Sequence, residues 1–241
     1  MIRTDRRYDT IMFDLDGTLL PMDMEEFTSG YFRFLTAKMA AFGYEPQFLI
    51  DSIWKGTYAM VKNDGTKTNE QVFWDCFASI YGEKAAADSV HFNDFYDNEF
   101  NDAVKFCGFN ELAGKIVRAL KDAGYTVVLA TNPLFPSFAQ RHRIRWAGVD
   151  AENFTYISSY ENSHYCKPNP LYYTELLQKL SLDPGKCLMV GNDAEEDCAA
   201  EDAGIDVFLL TDCLINRKDK DISGYPRGGF EDLMKYLKLT V

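Results

Sequence analysis

Thr10-Ile11-Met12-Phe13-Asp14-Leu15-Asp16-Gly17-Thr18 joins a short apolar run to two carboxylates spaced two residues apart, and then to a glycine. The apolar run reads as a buried strand. Gly17 suits the turn that must follow it, and it allows a bound group to approach the backbone closely. Carboxylates at the end of a strand suit phosphoryl transfer through a carboxylate nucleophile. Asp14 would attack phosphorus and form an aspartyl-phosphate. Asp16 would protonate the departing oxygen and later deprotonate water. Two negative groups beside a phosphate need a cation, which implies magnesium.

Working outward, short apolar runs alternate with helical patterns. Tyr125 to Ala130, Phe154 to Ile157, Cys187 to Val190 and Val207 to Leu210 read as further buried strands. Asn110 can cap a helix striped by Leu112, Ile116, Ala119, Leu120 and Ala123, with Gly124 as its stop. Pro170 can open another, with Tyr173, Leu176, Leu177 and Leu180 on one face. A third covers roughly Glu195 to Ala203 and stops at Gly204. This alternation predicts an α/β fold, a doubly wound parallel sheet covered on both faces. From about Met22 to Cys107 no strand is evident. Glu25 to Phe42, Pro46 to Lys62, Thr68 to Tyr81 and Ala86 to Phe106 read as helical. The aromatic residues there, such as Tyr31, Phe32, Trp54, Phe73 and Trp74, are expected to form the small core of a helical module.

Three later positions carry chemistry. Thr131, in Ala130-Thr131-Asn132-Pro133, puts a hydroxyl and following backbone amides at a strand end, where phosphate oxygens can bind. Asn132 can add its amide. Lys167, in Cys166-Lys167-Pro168-Asn169-Pro170, is held by two prolines ahead of a helix. A lysine there can neutralise the nucleophile and the charge developing on phosphate. Gly191-Asn192-Asp193-Ala194-Glu195-Glu196-Asp197 gathers acidic residues after a strand.

Taken in order, these four segments resemble the motifs of the haloacid dehalogenase superfamily of hydrolases. The resemblance implies a phosphatase with a helical cap inserted after the first motif. Residues 21–107 would be that cap, and residues 1–20 with 108–241 the α/β core. It also implies that the Asp16 backbone carbonyl binds magnesium, with Asp14 and Asp193 as the other candidate ligands. The fourth motif departs from the usual pattern, because Asn192 stands where an aspartate commonly follows the glycine. Asp193 is expected to supply the carboxylate. Asp197 could hold a metal-bound water or Lys167. Family dehalogenases lack the second aspartate and the related transport ATPases carry lysine there, so Asp16 points to phosphatase or phosphomutase chemistry. The alternatives are a sugar phosphomutase and a non-catalytic binding protein on the same scaffold.

Composition is consistent with this reading. The 241 residues, 46% hydrophobic, can build a sizeable core. A formal charge of −12 argues against a nucleic-acid partner, whereas a local cation still permits a small phosphorylated metabolite. No apolar stretch reaches membrane-span length, and Met1 to Tyr8 lacks the apolar segment of a leader. Six cysteines without a C-x-x-C pair are expected as reduced, packed thiols in a cytoplasmic protein. Of three scattered histidines, His164 alone falls near a motif. Oligomeric state has no signature in the sequence.

Overall fold

The computed structural model describes residues 6–239; Met1 to Asp5, the first part of the segment read for a leader, lie outside them. Six strands, β1 (Thr10–Phe13), β2 (Thr126–Leu129), β3 (Tyr156–Ile157), β4 (Cys187–Gly191), β5 (Asp206–Leu210) and β6 (Arg227–Gly228), form one sheet in the order β3-β2-β1-β4-β5-β6. Every pairing is parallel. The order reverses at β1, so the loops leaving β1, β2 and β4 open a crevice at one edge, where such sheets bind ligands.

Successive side chains of a strand face opposite ways, and the packing obeys this. Ile11, Phe13, Val127, Leu129, Leu188 and Val190 face one layer. There they meet Ile116, Val117 and Leu120 of α5 (Glu111–Asp122), and Leu233 of α8 (Phe230–Leu237). Met12, Val128, Met189, Val207 and Leu209 face the other layer, against Tyr172, Tyr173, Leu176 and Leu177 of α7 (Pro170–Leu180). Each fully buried aliphatic side chain contributes about 1.5–3 kcal/mol relative to exposure, and the two layers together account for the doubly wound sheet.

Between β1 and α5 the chain forms α1 (Met24–Met39), α2 (Pro46–Val61), α3 (Asn69–Tyr81) and α4 (Glu83–Asp97). Their starts follow local rules. Asp23 Oδ1 accepts the amides of Glu25 and Glu26, both at 2.9 Å. Pro46 occupies the first turn of α2, and Thr68 with Gln71 makes a capping box on α3. A separate apolar cluster of Phe27, Tyr31, Leu35, Leu49, Ile53, Phe77, Phe92 and Phe95 holds the four together. The chain leaves and re-enters this segment at one place: Met22 bridges Cys107, and Gly108 N donates to Pro21 O at 2.7 Å.

The structure departs from the sequence reading in several elements. The helix expected over Ala86 to Phe106 starts earlier, at Glu83, ends at Asp97 and continues as a 3-10 turn over Glu99–Phe106. The helix expected over Glu195 to Ala203 is a set of turns and a 3-10 helix, Cys198–Ala203. Asp197 is held there by the Lys167 ammonium and by the Asp193 amide, bonds that fix the turns in place. The pattern also passes over α6 (Ser137–Trp146), α8 and β6.

Candidate active site

Asp14 follows β1, and its amide donates to Val190 O at 2.9 Å. The chain then turns tightly, with Gly17 N on Leu20 O at 2.8 Å and Leu20 N on Leu15 O at 2.9 Å. Gly17 sits at φ +82°, and a Cβ there would lie 2.3 Å from Asn192 Nδ2. Only glycine meets both conditions.

Lys167 is fully buried, and its Nζ donates to Asp14 Oδ1 at 2.9 Å and to Asp197 Oδ1 at 2.6 Å. Burial works to lower the Lys167 pKa, but the two carboxylates outweigh it and hold the ammonium well above its usual range. Burial pushes Asp14 up; Lys167 opposes this and Asp16 adds to it. Asp197 is also pushed up by burial, against Lys167 and with Asp14. Asp197 Oδ2 accepts the Asp193 amide at 2.9 Å, so the carboxylate ties the lysine to the loop after β4.

Thr18 Oγ1 lies 3.1 Å from Asp14 Oδ2 and 2.9 Å from Asn192 Oδ1, within donating distance of each. Asn192 Nδ2 donates to Cys213 O at 2.7 Å. Asn192 therefore braces the β1 turn against the loop after β5. Asp193 Oδ1 accepts the amides of Glu195 at 2.7 Å and Glu196 at 2.9 Å, starting the turn that follows.

Thr131 and Asn132 follow β2. The Thr131 carbonyl accepts the Tyr172 hydroxyl at 2.9 Å, and Tyr173 donates to Glu196 O at 2.9 Å. Two adjacent tyrosines of α7 thus fix the loops after β2 and β4 relative to Lys167. Asn132 Nδ2 donates to both oxygens of Glu196, at 3.0 and 3.1 Å. Burial lifts Glu196 to about 8; Lys167 opposes this, while Asp197, Asp14 and Asp193 add to it. Asp16 turns toward α6, where the fully buried Arg143 donates to its Oδ2. Arg143 also bonds Gln140 and lies 4.3 Å from the centre of the Phe135 ring.

Asp14, Asp16, Thr131, Asn132 and Asp193 all line one cavity of about 670 Å³, along with Asn192, Glu196 and Asp197. Lys167 lies beneath it, bonded to Asp14. Met24, Thr28, Phe32 and Trp54 close the cavity from the helical side. His164 is instead paired with Glu175, Nδ1 to Oε1 at 2.6 Å. Sequence reasoning passed over Arg143, the Glu196 clamp on Asn132 and the two tyrosines. Tyr173 reads from the sequence as part of an apolar helix face and Tyr172 carries no signal there; nor does Arg143, which lies in a helix whose period is not apolar.

Among the described residues, no three His, Cys, Asp or Glu side chains converge as a metal cage. No helix among them is long and apolar enough to cross a membrane. All six cysteines are unpaired.

The family model for haloacid dehalogenase-like hydrolases matches residues 8–204. Phosphoglycolate phosphatase from Vibrio vulnificus strain YJ016 is 30% identical over 123 residues, which are 50% of this chain and 50% of that protein. The same enzyme from strain CMCP6 is 29% identical over a segment of the same length. The chain thus aligns with about half the length of these curated relatives. Among solved structures, a HAD phosphatase from Thermococcus onnurineus superposes with a TM-score of 0.56 at 16% identity, covering 95% of this chain and 97% of its own. A defluorinating L-2-haloacid dehalogenase gives 0.57 at 14% identity, covering 96% of this chain and 95% of its own. At these identities the likeness is one of fold, shared by phosphatases and dehalogenases alike.

Proposed function

The chain belongs to the haloacid dehalogenase-like hydrolases, and from that premise we propose that it is a magnesium-dependent phosphatase acting on a small phosphomonoester. The observation that carries this reading is Asp14, set at the end of β1 on the floor of the cavity with Lys167 Nζ 2.9 Å from its Oδ1. Matching relatives that are phosphoglycolate phosphatases support it, as does Asp16 two residues on.

Asp14 would attack phosphorus in line and become an aspartyl-phosphate, releasing the leaving group. Asp16 would give that group its proton and later take one from the attacking water. In the described conformation Arg143 holds Asp16, so the carboxyl must turn from that partner to reach the ester oxygen. Lys167 offsets charge at Asp14, and Thr131 with Asn132 holds phosphate oxygens.

The residues fit magnesium. The donors around the cavity are oxygen atoms, and Asp16 Oδ1 and Asn132 Oδ1 are buried without a hydrogen-bond partner among the described residues. The carboxylates of Asp14, Asp16, Asp193 and Asp197 outnumber the cations Lys167, Arg143 and Arg217 around them. Magnesium commonly uses only one or two protein carboxylates with water and substrate phosphate, so a full protein cage is not required. Asp14, the Asp16 carbonyl and Asp193 or Asn192 would hold it. When bound, it supplies charge neutralisation for the phosphate.

We take residues 21–107 as the cap and residues 1–20 with 108–241 as the core. We place the protein in the cytoplasm, in keeping with its six free thiols. The test is phosphate release from a panel of phosphorylated metabolites, phosphoglycolate included, with magnesium and with chelator, beside Asp14→Asn. Release that needs both magnesium and Asp14 is expected. Undiminished release by Asp14→Asn would overturn the assignment.

A further inference from the structure

Beside the acidic cavity lies a second one, of about 120 Å³, between the helical segment and the loops after β2 and β3. Met24, Thr28, Phe32, Trp54, Leu134 and Phe135 line both cavities, so the one continues into the other. No Asp, Glu, Lys, Arg or His lines the smaller space. Aromatic rings dominate its wall, and the Tyr31 and Tyr96 hydroxyls bond each other at 2.8 Å. Thr28, Thr57 and Asn93 supply its polar edges. Trp54 is 51% exposed, and its ring stands edge-on to Phe32 with centroids 5.7 Å apart. An exposed indole at the junction of two cavities offers a face on which a planar group can stack.

Size narrows the occupant. An apolar protein cavity of about 150 Å³ takes one benzene molecule. A space of about 120 Å³ that opens onto a larger one therefore matches a single ring and excludes fused rings from its depth. We propose that the substrate's leaving group carries one uncharged aromatic ring, seated against Phe32, Trp54 and Phe135 while the phosphate faces Asp14. This rests on the phosphatase reading and adds the substrate class to it.

The test compares 2-phenylethyl, 2-cyclohexylethyl and n-butyl phosphates with magnesium. Their alcohols are of similar acidity, so kcat/KM ratios read the cavity and not the ease of ester cleavage. The phenyl compound should exceed the butyl one by about 30-fold, the scale expected for burying a ring. It should exceed the cyclohexyl one as well, and Trp54→Ala should bring the phenyl-to-butyl ratio close to one. Equal phenyl and butyl values, or a ratio that Trp54→Ala leaves intact, would overturn the proposal. A cyclohexyl value matching the phenyl one would overturn the aromatic preference. Release from other phosphomonoesters with none from these three would sink the ring and spare the phosphatase. If no phosphomonoester is cleaved, the phosphatase reading falls. The ring is then judged by tryptophan emission of the Asp14→Asn protein, which should respond to 2-phenylethyl phosphate and not to n-butyl phosphate; no difference between them would overturn it.

Discussion

Asp197 joins Lys167 to the loop after β4: its Oδ1 lies 2.6 Å from the lysine Nζ, and its other oxygen takes the Asp193 amide at 2.9 Å. The lysine thereby has two carboxylate partners at the cavity, Asp197, which is tied to the loop after β4, and Asp14, which ends β1. A single cation shared in this way keeps its place when Asp14 changes charge.

Asp197→Asn should therefore loosen the lysine and leave Asp14 as its only carboxylate partner. We expect a loss of about 1.5–3 kcal/mol in stability, the scale of a hydrogen bond to a charged group. Phosphate release should fall by about 10- to 100-fold because charge near the transferring group is no longer preorganised. Urea denaturation and a phosphate assay read the two effects, and wild-type values in both would refute the anchoring role.

Arg143 is buried with no side-chain exposure, and Asp16 is its carboxylate partner. Arg143→Met removes a cation that also packs on Phe135 and strands the Asp16 carboxylate. Breaking such a pair from one side costs about 3–5 kcal/mol when it is buried; Asp16 is partly open to the cavity, so a loss near the lower end is expected. An unchanged denaturation midpoint would show that water replaces the arginine without penalty.

Glu196 gives a pH signature. Burial raises its carboxyl from 4.5 to about 8, so the folded protein binds a proton that the unfolded chain has released between those values. Stability must then fall as pH rises through that window. Glu196→Gln lacks the titrating group. In chelator, its melting temperature should decline less than that of the wild type between pH 5 and pH 8. Parallel curves for the two proteins would contradict this.

Asn192→Asp restores the residue common after the motif glycine, but it places a carboxylate against the Cys213 carbonyl, which now accepts Nδ2 at 2.7 Å. The variant should be destabilised by about 1–3 kcal/mol in chelator, the cost of an unpaired buried acceptor, and magnesium should recover much of that loss. Melting curves with and without magnesium decide it. A variant as stable as the wild type in chelator would argue that the Cys213 contact contributes nothing.

The parts of the molecule legible in the sequence share one property: their side chains do what their polarity dictates. β1, β4 and β5 are apolar runs that become buried strands, and α5 and α7 show apolar stripes that face the sheet. α6 escapes because Gln140 and Arg143 point inward, so its buried face is polar and its period is masked. The turn after β4 escapes because Asp197 is drawn onto Lys167, a partner from a distant segment. Asp14, Asp16, Thr131, Asn132 and Asp193 are read as candidates from residue type and position after a strand, and Lys167 from the prolines ahead of a helix; the fold gathers all six at one cavity. Their partners Arg143 and Glu196 come from distant segments that only the folded chain brings close.

The meeting of Pro21 with Gly108 has a consequence for how such a chain can change. Loop closure is costly when distant ends must be brought together, but here the two ends of the helical segment already touch through a 2.7 Å hydrogen bond. To the sheet, the intervening residues enter and leave through one doorway, and beyond it they rest on the loops after β2 and β3, where the Asn69 amide donates to Ser163 O at 2.8 Å and the Glu70 amide to Tyr160 O at 2.9 Å. A change of length inside the segment therefore need not pull on β1 or α5, whereas a change at Asn69 or Glu70 reaches the loops that border the cavity.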